Sequence, residues 1–485
     1  MKTTTLTIVD QVNCKFEGLD PVTRRKICDA LKFLVPYARH MPSFKLGRWD
    51  GKISFCTVGG ATYINLLERV LPIVIDAGYS VEIDDRRPPF SVSFPEITED
   101  FLADQCWPEG HPFAGQPIML RDYQVEAIRR YTQNLQSIQS ISTGAGKTIL
   151  TAALSKLCEP FGRTLVIVPS KSLVEQTEED FVNLGLDVGV FYGDRKELGH
   201  AHTIITWQSL GIKSKQAKMD IDTDTLQQII DGVVCVQVDE CHAAKAQVLR
   251  EVLAGPLAQV PIRWGLTGTI PKEPYEYLAL FGTLGPVVGE IRAADLQKKD
   301  VLAQCEVEIL QLTDDHYEFR DWHDEMDYLL SDRDRIRWIA EFCKSCSESG
   351  NTLILVDRIE TGMALAELIP GASFVNGSTK SKDRKKEYKE VQVATNKVII
   401  ATYGVAAVGI NIPRIFNLVL VEAGKSFVRV IQSIGRGLRK AQDKNSVRIY
   451  DICSTMKFSA RHLGKRKVYY KEAGYPFTVK KIAYR

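Results

Sequence analysis

Short apolar runs recur along most of this chain, separated by mixed segments whose apolar positions carry helical spacing. Between residues 118 and 290 the runs lie in TLVIVP, TIITW, VVCVQVDE and RWGLTGT; from about 305 to 455 the rhythm returns in TLILVD, SFVNG, KVIIAT, LVLVEA and SVRIYDI. Such runs read as strands buried on both faces. Strand–helix alternation predicts parallel sheets with crossover helices, so the chain reads as α/β with two tandem parallel-sheet lobes. Ligands on such sheets bind beyond the carboxyl ends of the strands. The residues that end each run are therefore the first candidates for function.

Residues 1–95 have a different pattern and predict a small α+β unit. A strand-like start, TTTLTIVD, leads into an amphipathic helix within PVTRRKICDALKFLVPYA. In FKLGRWDGKISF the dipeptide Asp50-Gly51 predicts a tight hairpin turn between two short strands. A helix (YINLLERVLPIVIDAG) and a strand (YSVEID) follow, and RRPPF at 86–90 reads as a linker, because two prolines interrupt both helix and sheet. The expected plan is an accessory domain at 1–95, a first lobe at 96–300, a second at 301–460 and a terminal segment at 461–485.

Composition narrows the class. The 485 residues are 45% hydrophobic and 25% charged, the balance of a soluble globular protein. No stretch approaches the roughly 18 apolar residues of a membrane span, and the N-terminus has no signal-like apolar core. A cytoplasmic protein without membrane contact is expected. The 11 cysteines are scattered and several lie inside apolar runs, as buried reduced thiols do. Cys343 and Cys346 form one CxxC without a second pair, so they read as packing residues. No heptad run is visible, and a monomer or weak oligomer is expected. The net charge of +2 is unevenly placed: residues 461–485 carry eight Lys/Arg and one Glu, with Tyr469, Tyr470, Tyr475, Phe477 and Tyr484 among them. That pattern predicts contact with a polyanion.

The candidate chemistry lies at strand ends. Ser142-Thr143-Gly144-Ala145-Gly146-Lys147-Thr148 follows the run SIQSI and opens a helix. Small residues let backbone N–H groups close around phosphates, and the helix N-terminus adds positive potential. Lys147 is expected on the β/γ-phosphates of ATP and Thr148 on Mg²⁺. The full GxxxxGK[ST] pattern wants glycine at 141, where this chain has Ile141. Asp239 and Glu240 end the run VVCVQV. A carboxylate pair there needs a metal or hydrogen bonds to be tolerated. Asp239 suits Mg²⁺, and Glu240 suits a general base for the attacking water. His242 is placed to relay between the nucleotide and the rest of the site.

Asp239-Glu240-Cys241-His242 resembles the DExH box of superfamily 2 helicases, and the other motifs of that family follow in its order. The resemblance implies two RecA-like lobes with ATP between them. It also implies that Gln124 and Arg121, in LRDYQVEAI, read and stack on adenine. Pro169-Ser170-Lys171 and Thr206-Trp207-Gln208 resemble motifs Ia and Ib, which hold a strand backbone. Gly265 to Thr269 resembles motif III, and Asp357-Arg358 falls at motif IV. Thr402 through Gly409 and Asn411 resembles motif V, with Asn411 where aspartate is more usual. Residues 432–439 match motif VI, QxxGRxxR. Arg436 and Arg439, three apart on one helix face, would stabilise charge on the γ-phosphoryl, and Gln432 would orient the water.

The N-terminal segment FKLGRWDGKISF, with TWQSL, DECH, FGTLGPVVGE and ATYGVAAVGIN, is similar to the phage UvsW-type branch-migrating helicases. This implies a DNA partner: forks, Holliday junctions and single strands, unwound with 3′→5′ polarity. It also implies a phage protein in the host cytoplasm, in recombination, replication and repair. For direct DNA contact the residues offer Lys45, Arg48, Trp49 and Lys52 in the hairpin and Lys465, Arg466 and Lys467 near the end. Residues 380–389 form another basic cluster, read as a solvated helix face. A duplex translocase, an RNA helicase and a strand-annealing protein with an inert ATP site are the competing readings.

Overall fold

The computed structural model describes the chain except residues 1, 36, 110, 112, 244–245, 315–316, 380, 410–411, 413 and 425–442. Contacts divide it into two units: residues 1–141 with 147–290, and residues 142–146 with 291–485.

The first unit begins with a small mixed sheet. Its strands are β1 (Lys2–Ile8), β2 (Asn13–Glu17), β5 (Ala61–Tyr63) and β6 (Tyr79–Asp85), in the order β5-β2-β1-β6. Helices α1 (Pro21–Ala30) and α3 (Leu67–Asp76) cover it, burying Ile27, Val70 and Val74 with Leu6 and Phe16. The predicted hairpin at Asp50-Gly51 does not form. Pro42 starts a short helix, α2 (Pro42–Lys45), and β4 (Lys52–Ser54) pairs antiparallel with β3 (Lys32–Leu34) instead. Packing decides this: Gly51, at φ +79°, would place a Cβ 3.0 Å from both Ala38 and the Phe44 ring, so the turn is pressed onto α2.

Next come α4 (Asp122–Gln133) and an eight-stranded sheet, ordered β10-β9-β11-β8-β12-β13-β7-β14. Its strands are β7 (Gln136–Ile141), β8 (Arg163–Val168), β9 (Val188–Tyr192), β10 (Arg195–Lys196), β11 (His202–Thr206), β12 (Val233–Val238), β13 (Ile262–Thr267) and β14 (Val287–Ile291). The strands from β9 through β7 run parallel, and β10 turns back antiparallel on β9. The crossovers include α5 (Lys147–Cys158), α6 (Lys171–Asn183), α7 (Trp207–Lys218), α8 (Thr223–Ile230), α9 (Ala246–Leu253) and α10 (Pro274–Leu284). The runs are apolar throughout because both sheet faces are covered; Leu165, Ile167, Val236 and Val238 are all buried. Helix α10 shares its Tyr275, Leu278 and Ala279 with the core of the small N-terminal sheet.

The second unit holds α11 (Ala293–Lys298), β15 (Gln304–Leu312), α12 (Trp322–Ser331), α13 (Arg333–Glu348), β16 (Thr352–Val356), α14 (Ile359–Leu368), β17 (Ser373–Val375), α15 (Ser381–Val393), β18 (Val398–Thr402), α16 (Tyr403–Gly409), β19 (Asn417–Val421), β20 (Ser446–Ser454), α17 (Lys457–Ala473) and β21 (Phe477–Ile482). Its sheet, β17-β18-β16-β19-β20-β15-β21, is parallel throughout. Residues 461–485 are therefore not a free basic tail. They complete α17 and supply the edge strand β21, and Tyr470 and Tyr475 are core residues, 0% and 3% exposed.

Candidate functional site

The loop between β7 and α5 carries the first candidate residues. Gly144 and Gly146 adopt φ +87° and +81°, a conformation that only glycine takes without strain. The two glycines turn the chain into α5, whose first residues are Lys147 and Thr148. Helix α5 is fixed on β12 by a buried amide: Gln237 Nε2 donates to Ser155 Oγ at 2.9 Å and to the Thr151 carbonyl at 3.3 Å. That contact aligns the start of α5 with the residues that follow β12.

Asp239 and Glu240 are those residues. Asp239 Oδ1 accepts the Glu240 N–H at 2.8 Å, and the Asp239 N–H donates to the Ile167 carbonyl at 2.9 Å. Glu240 stands at φ +48°, a left-handed position that costs a non-glycine residue about 1 kcal/mol or more. The kink turns its carboxylate back over the strand end. One oxygen forms an ion pair with the Lys147 ammonium. The other faces the Gly268 N–H and His242 Nδ1, each at 3.5 Å. The phosphate-loop lysine and the acid box are thus brought together within the first unit.

His242 extends the arrangement to motif III. Its Nδ1 lies 2.5 Å from Thr267 Oγ1, and that hydroxyl donates to the Thr269 carbonyl at 2.8 Å. Because the hydroxyl proton is spent on Thr269, the ring must donate, which assigns the proton to Nδ1. Burial lowers the imidazole pKa, although the nearby Glu240 carboxylate pulls it upward. A neutral ring therefore joins the acid box to the end of β13. Asp239 is pushed up to about 6 by burial and then by Glu240, with Lys147 opposing. Burial beside a second carboxylate is a condition that a divalent cation relieves.

The remaining candidates are distributed as follows. The Arg121 N–H donates to Gln124 Oε1 at 2.9 Å, and the Arg121 guanidinium donates to Tyr123 Oη at 2.9 Å. Ser170 caps α6 and Thr206 caps α7, and Gln208 Nε2 donates to the Pro169 carbonyl at 3.0 Å, tying motif Ia to motif Ib. Lys171 is exposed, over the Tyr192 ring at 5.3 Å. In the second unit Asp357 is exposed, Arg358 pairs with Asp327, and Thr402 ends β18. Gly409 ends α16. Gln432, Arg436, Arg439 and Asn411 lie outside the described residues.

Two of the proposed strand contacts need correction. Arg466 is 0% exposed, in a two-pronged pair with Asp451 at 2.8 and 2.9 Å, so it belongs to the core; Lys465 and Lys467 do not share its environment. Trp49 packs half-buried against the small N-terminal core and donates Nε1–H to the Lys52 carbonyl at 2.7 Å, so part of its ring is committed within the protein. Lys45, Arg48 and Lys52 remain exposed.

Sequence reasoning missed a buried acid that follows a strand of the second unit. Glu422 follows β19 at φ +43°, 2% exposed. It accepts from Arg335 Nη2 and from Ser459 Oγ, both at 2.7 Å. The signal was present in LVLVEA, an apolar run ending in one carboxylate, as at Asp239.

Residues 117–272 match the family described as Type III restriction enzyme, res subunit, and residues 334–441 match the helicase conserved C-terminal domain. The ATP-dependent DNA helicase uvsW of Enterobacteria phage T4 is 23% identical over 469 residues, covering 92% of this chain and 90% of that protein. The putative DNA 3'-5' helicase Rad25 of Haloarcula marismortui is 27% identical over 342 residues, 68% of this chain and 52% of its own length. The ATP-dependent Type ISP restriction-modification enzyme LlaBIII bound to DNA shares the fold, with a TM-score of 0.57 at 13% identity over 83% of this chain and 33% of that one. With both helicase domains matched in order, and with Lys147, Glu240 and His242 gathered at the carboxyl ends of a parallel sheet, the chain belongs to the superfamily 2 helicases and is an ATP-dependent member of them.

Proposed function

We propose that this helicase remodels branched DNA, driving branch migration, fork regression and 3′→5′ unwinding by ATP hydrolysis. The observation that carries the reading is the continuous link Lys147–Glu240–His242–Thr267. It connects the phosphate-binding residue to motif III; Lys171 and Gln208, exposed beyond the ends of β8 and β11, are assigned with Pro169 to a strand. Support for the branched substrate comes from the similarity to the T4 helicase, which extends over the N-terminal sheet as well as the motor.

The residues have separate tasks. The Lys147 ammonium exchanges Glu240 for the β/γ-phosphates of ATP. Glu240, released from that pair, accepts the proton of the attacking water. Asp239 and Thr148 would hold Mg²⁺, an ion that takes one or two carboxylates and keeps its other positions for phosphate and water. When bound, that ion neutralises charge on the phosphates during transfer. Gln124 and Arg121 are assigned to the base, and Gln432, Arg436 and Arg439 to the γ-phosphoryl. Thr143 to Gly146 are assigned to the phosphates, and Gly409 to the nucleotide.

The test is ATP turnover with single-stranded, duplex, forked and four-way-junction DNA, and with RNA, at one fixed salt concentration. Forks and junctions should stimulate most, and Lys147→Ala should abolish turnover while strand binding persists. Equal stimulation by plain duplex would favour a translocase, and stimulation by RNA alone would overturn the DNA assignment.

A further inference from the structure

Helix α17 is the element where the sequence pattern and the structure disagree most, and its two faces have different uses. The inner face is locked into the second unit. Arg466 pairs with Asp451 and donates Nη1–H to the Gly424 carbonyl at 2.8 Å; Tyr470 Oη donates to Asp451 at 2.7 Å. Glu325 accepts the N–H groups of Phe458 and Ser459, at 2.9 and 2.7 Å. The helix is therefore a rigid support.

The outer face is cationic. Lys457, Arg461 and Lys465 are exposed and four residues apart. At 1.5 Å rise and 100° per residue they stand about 6 Å apart along the axis and drift about 40° per step, forming a shallow stripe. None of the three pairs with a carboxylate among the described residues. Gly464 lies on the same face, exposed, in mid-helix, and a Cβ built there meets nothing within 4 Å. Glycine weakens an exposed helix relative to alanine, and no neighbour among the described residues requires it. Close approach of a partner is one reason for a glycine at such a place.

We propose that the outer face of α17 is a strand-binding surface of the second unit, on which Lys457, Arg461 and Lys465 take successive phosphates of a nucleic-acid backbone that passes beside Gly464, the i+3 neighbour of Arg461. Three exposed cations without a carboxylate partner among the described residues suit a polyphosphate chain, and a single strand follows a curved stripe more readily than a stiff duplex does. The inference rests on the motor reading for its substrate, and the experiment separates the two.

Two variants of the full chain carry the test: Lys457→Gln/Arg461→Gln/Lys465→Gln, and Gly464→Leu. Binding of a labelled single-stranded oligonucleotide is titrated from 50 to 200 mM salt, with thermal melting as the check on folding. The triple variant should lose about tenfold or more in affinity at low salt. Its slope of log K against log salt should fall by about 2, since each phosphate contact on a single strand contributes about 0.7. Gly464→Leu should melt at or above the wild-type temperature and still bind more weakly, a combination that damage to the fold does not produce. Wild-type affinity and slope in the triple variant, or wild-type binding by Gly464→Leu, would overturn the assignment. A wild-type enzyme whose turnover ignores every strand would sink the motor reading instead, while the slope would still report on this face.

Discussion

Arg466→Met tests the internal frame of the second unit. The guanidinium is fully buried and makes three hydrogen bonds, two to Asp451 and one to the Gly424 carbonyl, at 2.8 to 2.9 Å. Methionine fills similar volume but leaves the Asp451 carboxylate buried, with Tyr470 as its remaining hydroxyl donor. Breaking one partner of a buried pair costs about 3–5 kcal/mol. For a unit of roughly 200 residues, 1 kcal/mol moves the melting temperature by about 2–4 °C, so the second-unit transition should fall by about 6–20 °C. Scanning calorimetry on the full chain measures it. The companion variant Arg466→Met/Asp451→Leu removes the stranded charge and should recover most of the loss, as apolar replacement of buried pairs does. A single variant melting within about 2 °C of wild type, with reduced strand affinity, would refute the reasoning and return Arg466 to the solvent-facing role its sequence context predicts.

Three further outcomes follow from the first unit. Glu240→Gln should keep nucleotide binding and lose turnover by about two or more orders of magnitude; a filter-binding assay beside a phosphate-release assay separates the two. Gly285→Ala should destabilise strongly, because the residue ends α10 at φ +103° and a Cβ would lie 2.3 Å from the Gln136 carbonyl oxygen; urea denaturation should show a loss of more than about 2 kcal/mol. His202 is buried against Glu159 at 2.8 Å, and burial lowers its pKa while Glu159 pulls it back. A folded-state pKa below the unfolded one means the unfolded chain binds more protons. The neutral ring's contribution is therefore present above about pH 6.5 and is lost as pH falls below it. Urea melts at pH 7.5 and 5.5 should show this, and His202→Gln should narrow the difference.

Strands such as β8, β12, β16 and β19 were legible because they are buried on both faces, so their apolar runs need no tertiary information to be seen; β14, β15 and β21, with exposed positions along them, were not read. The same logic exposed the acid box: a carboxylate that ends such a run, as Asp239 does, is costly without a purpose. The misreadings have a common cause. Arg466 and Tyr470 are amphipathic side chains whose burial depends on a partner on another element. For Arg466 and Tyr470 the partner is Asp451, on the last strand before α17. Likewise Asp50-Gly51 is a good turn dipeptide, yet the turn it makes is chosen by Phe44 and Ala38 beneath it. Local pattern sets element type, whereas the fate of a long polar side chain is decided by what the fold brings against it.

The N-terminal sheet is mechanically continuous with the nucleotide-binding half, and this bears on how a junction could be sensed. Gln11 donates its N–H to the Ala258 carbonyl at 3.0 Å, Gln136 Nε2 donates to the Gln11 carbonyl at 2.8 Å, and Asn65 Nδ2 donates to Gln136 Oε1 at 3.0 Å. Phe55 packs on Tyr275 with centroids 5.9 Å apart. All these contacts fall on β7, α10 or the turn before β13, the elements that carry the phosphate loop and motif III. A strand held by Lys45, Arg48 and Lys52 would thus load the same body that binds ATP, without a flexible hinge to absorb the strain. Gly282→Val tests this coupling, because a Cβ at Gly282 already comes within 2.8 Å of the Tyr63 ring and a branched side chain would wedge the small sheet off α10. Fork-stimulated turnover should fall several-fold while single-strand-stimulated turnover changes little. Equal losses on both substrates would mean the small sheet only stabilises the first unit, and the coupling would have to be abandoned.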